Sequence, residues 1–338
     1  MKKGKTAVLL INVGSPDAPK VPTVRRYLTE FLNDKRVIDL PFLLRKFLVN
    51  LIIIPFRVKK STQLYLRLWT KKGSPLIYLT KELQEKLQHQ FDENTDVYIG
   101  MRYGNPGIKQ ALSEIKQKKY SKIVLVPLFP QHAMSTTETA LVAAENEIKK
   151  QVINAEIIKV GQFYDHPKFI EAFVEQARKH DLSAFDHIVF SYHGLPNRQV
   201  EKCHPGIKVD ACSCAESLPE HGKYCYRATC YETSRLIAKQ LALKPADYTV
   251  AFQSRLSNNW LTPFTDKVLD EKLNNDEKKI LVLAPSFVTD CLETILEIGV
   301  EYAEDFENKG GHVQLVESLN AEDKWVEALA EIVSNRLN

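Results

Sequence analysis

The feature that most restricts what this chain can fold into is that its two halves are written alike. VLLINVGSP from Val8 resembles IVFSYHGLP from Ile188, VLVPLFP from Val124 resembles LVLAPSF from Leu281, and HPKFIEAF from His166 resembles EDKWVEAL from Glu322. Internal repetition implies one structural unit used twice. Apolar runs over Thr6 to Val13, Asp96 to Met101, Lys122 to Leu128 and Glu156 to Val160 read as buried strands. Helical patterns over Pro22 to Asn33, Lys81 to Phe91 and Gly107 to Lys118 separate them. Strands alternating with helices form right-handed βαβ units and a parallel sheet. The second half repeats the scheme with strands at His187 to Tyr192, Tyr248 to Phe252, Lys279 to Leu283 and Val313 to Val316. Its helices start near Tyr231, Pro263, Asp290 and Ala321.

The expected fold is therefore α/β: two similar doubly wound, Rossmann-like domains with parallel four-stranded sheets. The first spans residues 1–160 and the second 161–338, with the last helix packing across the boundary. In such sheets ligands bind outside the carboxyl ends of the strands, so the active site is expected in the cleft between the two domains.

A chain of 338 residues with 44% hydrophobic and 26% charged residues is an ordinary globular protein, and its formal charge of +4 gives no basis for nucleic-acid binding. The start MKKGKTAVLLINVGSPDAPK has the charge and apolar run of an export signal but no A-x-A site, and reads as a first strand. A cytoplasmic protein is expected. The sequence leaves monomer and homodimer open.

Two stretches interrupt the alternation. Phe42 to Arg57, FLLRKFLVNLIIIPFR, is apolar yet broken by Arg45, Lys46 and Asn50, too short to span a bilayer of roughly 20 residues' depth. With Arg57, Lys59 and Lys60 following, residues 42–57 suit either a hydrophobic lip that touches the inner face of a membrane or covers an apolar ligand, or a helix tucked into the core. The second stretch, residues 201–231, is polar and carries Cys203, Cys212, Cys214, Cys225 and Cys230. Clustered thiols in a reducing compartment indicate soft-metal ligation, an iron-sulfur cluster or zinc, with His204 and His221 as further donors.

Three strand ends bear reactive groups. His193, in Ser191-Tyr192-His193-Gly194-Leu195-Pro196, follows an apolar strand where Gly194 and Pro196 turn the chain. A near-neutral imidazole there accepts a proton or binds a transition metal, or serves the fold alone. Gln253-Ser254-Arg255 ends another strand, and Trp260 beyond it could stack on a flat ligand or pack in the core. After Ala284 the chain reads APSFVTDCLETILEIGVEY. At roughly 100° per residue, Asp290, Glu293, Glu297 and Glu301 fall within about an 80° arc of one helix face. These acids attract cations and protons, or else cap the helix and solvate its surface.

Taken together, VLLINVGSPDAP, GMRYGNP, LVPLFPQHAMSTTETA, FSYHGLP, AFQSR followed by WL, and APSFVTDCLETILEI resemble the ferrochelatases, in the same order and from about Thr6 to Ala330. The resemblance implies a chelatase-like fold and an enzyme of heme biosynthesis, a lyase that inserts ferrous iron into a porphyrin and releases two protons. Protoporphyrin IX is the expected porphyrin and coproporphyrin III the alternative. It makes His193 and Glu293 the catalytic pair that meets the Fe2+ substrate, and Asp290, Glu297 and Glu301 an acidic path for protons or metal. Asn12, Val13, Met101, Arg102, Tyr103, Ser191, Tyr192 and Trp260 would form the porphyrin pocket. Some members carry a [2Fe-2S] cluster. Here the ligands would come from the internal cysteines, with Cys225 and Cys230 the firmest and zinc as the alternative. The competing readings are a sirohydrochlorin-type cobalt or iron chelatase and a non-catalytic heme or iron-sulfur protein.

Overall fold

Eight strands form two separate four-stranded sheets in the computed structural model, which describes residues 4–337; Met1–Lys3 and Asn338 lie outside the described residues. The strands are β1 (Thr6–Ser15), β2 (Thr95–Gly104), β3 (Lys122–Pro127), β4 (Glu156–Lys159), β5 (His187–His193), β6 (Tyr248–Gln253), β7 (Lys279–Leu283) and β8 (His312–Leu315). The sheet orders are β2-β1-β3-β4 and β6-β5-β7-β8, with every pairing parallel. The two-domain α/β architecture read from the repeated sequence is the one observed.

The central strands are apolar on both sides because helices cover both faces. Ala7, Val8, Leu9, Leu10 and Ile11 of β1 are all fully buried, as are Val189 and Phe190 of β5 and Leu281, Val282 and Leu283 of β7. In both sheets the chain starts in the second position and crosses to opposite sides of it. The strand order thus reverses beside β1 and beside β5, and ligand crevices form outside the carboxyl ends of strands at such reversals. β5 ends at His193.

The chain divides into two compact units. One runs up to Phe129, resumes over Met134–Gly161 and takes the chain from Ala321 onward; the other comprises Pro130–Ala133 and Gln162–Asn320. The final helix, Asp323–Leu337, numbered with the second domain and expected to pack across the boundary, clusters with the first unit: it packs on the helix Pro75–Gln88 and on β4, and Asp323 pairs with Lys86 at 2.7 Å. One boundary differs from the linear reading. Pro130–Ala133 joins the second unit, where Gln131 Nε2 donates to Thr233 Oγ1 at 3.0 Å.

The apolar interruption is helical throughout, as Phe42–Phe47, a π-helical stretch Leu48–Ile53 and Ile54–Leu68. It is neither wholly buried nor wholly exposed. Val49, Ile54 and Val58 enter the core, whereas Phe42, Leu43, Leu44, Phe47, Leu51 and Phe56 face outward, Leu43 with 79% and Phe56 with 82% of its surface open. No helix among the described residues is long and apolar enough to cross a membrane.

Candidate active site

His193 is the last residue of β5 and lies in register with Gln253 of β6. The next amide, Gly194 N–H, still bonds to Gln253 O at 2.7 Å, after which the chain turns away. Only glycine fits there, since a Cβ would lie 2.8 Å from Gln253 O and 3.3 Å from the Trp260 ring. The imidazole Nδ1 donates to Gly194 O at 2.6 Å, which commits that nitrogen and leaves Nε2 as the one able to meet a ligand.

Aromatic rings flank it. Trp260 is seated by a bridge to Pro196 and by Leu261 N–H donating to Leu195 O at 2.9 Å; its ring centre lies 6.4 Å from that of His193. Phe287, in the loop after β7, stands at the same 6.4 Å. A half-buried tryptophan, a phenylalanine and an imidazole together suit the edge or face of a planar ring.

The acidic helix departs from its expected geometry. Glu293–Tyr302 is a π-helix, with wider turns closed by i→i+5 bonds, followed by an ordinary helix Ala303–Asn308. The arc drawn at 100° per residue is thereby corrected. The wider turn brings Tyr302, five residues after Glu297, back above it: Tyr302 Oη donates to Glu297 Oε1 at 3.0 Å. In an α-helix those two positions lie about 140° apart and could not meet.

Glu297 also accepts from Ser254 N–H at 2.9 Å and from Ser254 Oγ at 2.5 Å. Ser254 holds φ at 61°, a left-handed conformation uncommon for serine, and so aims both donors at one carboxylate. Burial nonetheless pushes the Glu297 pKa above the usual carboxylate value. The Ser254 bond and the charge of protonated His193 pull against that rise, and neighbouring Glu293 adds to it. Glu293 is half-buried, and its backbone carbonyl accepts from Gln253 Nε2 at 3.4 Å. The second unit thus brings His193, Glu293, Glu297 and Trp260 into one neighbourhood.

Asp290 is not part of the stripe. It precedes the π-helix, and its carboxylate is consumed by Thr294 Oγ1 at 3.0 Å, Ser318 N–H at 3.3 Å and Asn320 Nδ2 at 2.7 Å, which tie the loop after β7 to the chain after β8. Glu301 is on the π-helix and exposed. Ser191 and Tyr192, expected in the pocket wall, show no surface at all: alternate residues of a sheet covered on both faces are both inside. Ser191 Oγ bonds Gln253 Oε1 at 2.6 Å and Thr265 Oγ1 at 2.8 Å, while Tyr192 Oη pairs with Ser234 Oγ at 2.8 Å. They brace the site from behind. Gln253, Ser254, Phe287 and Tyr302 were not singled out as site residues by sequence, although the strand-end position of Gln253-Ser254 was a usable signal.

The end of β2 in the first unit borders a cavity of about 500 Å³ at Met101, Arg102 and Gly104, yet most of the residues expected there are covered. Tyr103 is fully buried, Met101 is 1% and Asn12 4% exposed, so these expected pocket residues also offer a ligand almost nothing; Val13 and Arg102 are half-buried. Asn12 Nδ2 donates to Thr80 Oγ1 at 3.1 Å. Arg102 pairs with Asp34 and donates from Nε to Thr139 Oγ1 at 2.8 Å, and Tyr103 Oη donates to Asp34 at 3.0 Å. Burial alone would raise the Asp34 pKa. The bonds from Thr139 and the Arg36 N–H, with the Arg102 charge, outweigh it and hold the carboxyl below its usual value. No pattern around Asp34 announced this role.

The Cys-rich stretch consists of short 3-10 turns at Glu201–Cys203, Val209–Ala211, Ser213–Ala215 and Glu220–Tyr224, then the helix Tyr226–Gln240, which starts earlier than the expected Tyr231. None of the five cysteines is in a disulfide; Cys203 and Cys212 are half-buried and the others buried. Burial pushes Cys214 up to about 12, where the Arg227 charge opposes the rise and Cys212 and Cys225 add to it. Cys225 is pushed up to about 11 by burial, with Cys212 and Cys203 adding. Four thiols therefore sense one another. Arg227 Nη1 donates to Cys214 Sγ at 2.8 Å. Cys230 sits deeper, on the helix and fully buried; burial pushes its pKa well up, and Cys225 and Cys214 add to the rise, so it too is within electrostatic reach of the loop thiols. Among the described residues no three or more His, Cys, Asp or Glu side chains are arranged to hold a single metal ion.

Two parallel four-stranded sheets of this strand order, with a base and a buried acid at the β5 reversal, define a chelatase fold. SirB from Bacillus subtilis with Fe3+ superposes with a TM-score of 0.56 at 12% identity, over 98% of this chain and 95% of that one. The sirohydrochlorin chelatase SirB from B. subtilis subspecies spizizenii in complex with cobalt gives 0.55 at 11% identity, over 99% and 96%. Sequence is more specific. A family model described as Ferrochelatase matches residues 5–337. Ferrochelatase of Coxiella burnetii (strain Dugway 5J108-111) is 42% identical over 98% of this chain and 94% of that protein. Those of Pseudomonas fluorescens (strain Pf-5) and Legionella pneumophila (strain Paris) are 40% identical over 96% of both chains and 39% identical over 100% of both. The chain belongs to the ferrochelatase family, enzymes that insert iron into a porphyrin in heme synthesis.

Proposed function

We propose that this enzyme inserts Fe2+ into protoporphyrin IX at a site centred on His193. The carrying observation is His193 at the end of β5, its Nδ1 tied to Gly194 O, in electrostatic contact with Glu297, whose pKa burial raises. A porphyrin sheds two pyrrole protons as the metal enters, so the site must supply bases. His193 Nε2 takes protons from one face of the ring, whose edge rests against Trp260 and Phe287. Glu297, with its raised affinity for a proton and its electrostatic link to His193, receives them, and Glu293 and the exposed Glu301 lie along the same helix toward solvent. Glu293 and His193 meet the incoming iron. Asp290 is left out of this path. Porphyrin carboxylates distinguish the substrates: protoporphyrin IX carries fewer than coproporphyrin III, and the rings of Trp260 and Phe287 beside His193 suit the less charged one. Anaerobic assays with ferrous iron and each porphyrin test this; higher kcat/KM with coproporphyrin III would overturn the substrate assignment.

The thiols of Cys203, Cys212, Cys214 and Cys225 fit a [2Fe-2S] cluster. Such a centre takes two thiolates at each iron, whereas zinc asks for four donors around one point. The Arg227 contact to Cys214 is the kind of sulfur hydrogen bond that tunes these centres. A bound cluster would keep these buried thiols deprotonated and supply electron-accepting iron. On this reading Cys230, expected from the sequence among the firmest ligands, is the spare thiol of the five because it lies on the helix and not in the loop. Visible absorbance lost in Cys214→Ser but kept in Cys230→Ser supports this set, and the reverse overturns it.

The outward face of Phe42, Leu43, Phe47 and Phe56, beside Lys46, Arg57, Lys59 and Lys60, would rest in the surface of an anionic bilayer.

A further inference from the structure

The carbonyl of His193 is held from outside its own sheet. Gly194 N–H closes the last bond from β5 to β6, and the imidazole Nδ1 donates to the Gly194 carbonyl. The ring hangs from the Cα at one end of the His193–Gly194 peptide plane, and its acceptor, Gly194 O, follows the Cα at the other end, so the ring's direction depends on how that plane is held. Within the plane, His193 O accepts at 3.0 Å from the phenol Oη of Tyr226. Tyr226 is 6% exposed and is the first residue of the helix Tyr226–Gln240, whose later turns are anchored by Ser234 bonding Tyr192 on β5. A phenol on a rigid ring, set at a packed helix start, is a fixed donor with little freedom to follow a moving acceptor.

We propose that Tyr226 is a positioning residue for metal insertion: its hydroxyl fixes the His193–Gly194 peptide and thereby aims His193 Nε2. The inference deepens the proposed role of His193 and rests on it. Losing one such bond leaves a nearly buried carbonyl unpaired and the imidazole free to swing, for roughly a tenfold loss of rate.

The test uses the full-length enzyme with its bound cofactor, assayed anaerobically with ferrous iron and protoporphyrin IX. Tyr226→Phe is expected to lower kcat about tenfold while leaving porphyrin KM, the visible absorbance of the protein and its Tm near those of the parent. Ser234→Ala removes the neighbouring phenol–hydroxyl bond, to Tyr192, without touching His193, and is expected to keep kcat within about twofold. Parental kcat in Tyr226→Phe overturns the proposal. So does an equal loss in Ser234→Ala, which would make the effect one of general packing. A parent with His193→Ala at full activity would instead sink the site assignment itself, a separate outcome.

Discussion

Asp34 and Glu297 occupy comparable places, near the carboxyl ends of the first strands of two sheets with the same strand order, and they are used in opposite ways. Asp34 is spent: Arg102, Tyr103, Thr139 and the Arg36 N–H all satisfy it, and its pKa lies below the usual value. Glu297 has Ser254 and Tyr302 as donors and, among the described residues, no Lys or Arg paired with it; burial leaves its pKa raised although the charge of protonated His193 pulls it down. A buried carboxylate paired with arginine stabilises a fold, whereas one denied such a partner holds free energy available for binding a proton or a metal. The duplicated architecture is therefore symmetric in backbone and asymmetric in electrostatics.

The largest effect should come from removing the base. His193→Ala is expected to lower iron insertion between roughly 10²- and 10⁴-fold while porphyrin still quenches protein fluorescence; full activity would abolish the contrast. Asp34→Asn should be next, at about 3 kcal/mol of stability, because it strands the Arg102 guanidinium. Its pH dependence has a definite sign. A depressed folded pKa stabilises above the unfolded value, so the Tm gap between parent and variant should be full at neutral pH and close as pH falls below about 3.8.

Glu297→Gln should behave oppositely. A raised folded pKa means stability present below about 4.5 and lost as pH rises through the folded value, so the glutamine protein should melt a few degrees higher at pH 7.5 and no higher in acid. Its kcat should nevertheless fall by about tenfold or more. A variant both less stable and fully active would show that the two carboxylates are alike. The smallest change in solution is expected away from both sheet ends. Leu43→Ser with Phe56→Ser should leave stability within about 0.5 kcal/mol, yet weaken sedimentation with anionic vesicles about tenfold or more.

Much of the site was legible because its chemistry lies in contiguous runs. His193-Gly194-Leu195-Pro196 states a base at a turn, and Glu293, Glu297 and Glu301 state an acidic element after a buried strand. What could not be read was the winding of that element. An i→i+5 ladder is not encoded by the spacing of apolar residues, and assuming 3.6 residues per turn put Asp290 on the wrong element and missed Tyr302. The pocket residues carried over from the family resemblance show a related limit: a motif names a position on a strand, not whether a helix covers it, and Ser191, Tyr192 and Tyr103 are covered.

Sequence alone determined two βαβ domains, a histidine at one strand end and a family, since these follow from periodicity and from residues adjacent in the chain. Only tertiary structure decided which carboxylate is paired with an arginine and which is held by hydroxyls, because that depends on Arg102, Thr139, Ser254 and Tyr302, brought to Asp34 and Glu297 by folding. Charge is written in the chain, but its energy is set by the burial and the partners it meets in space.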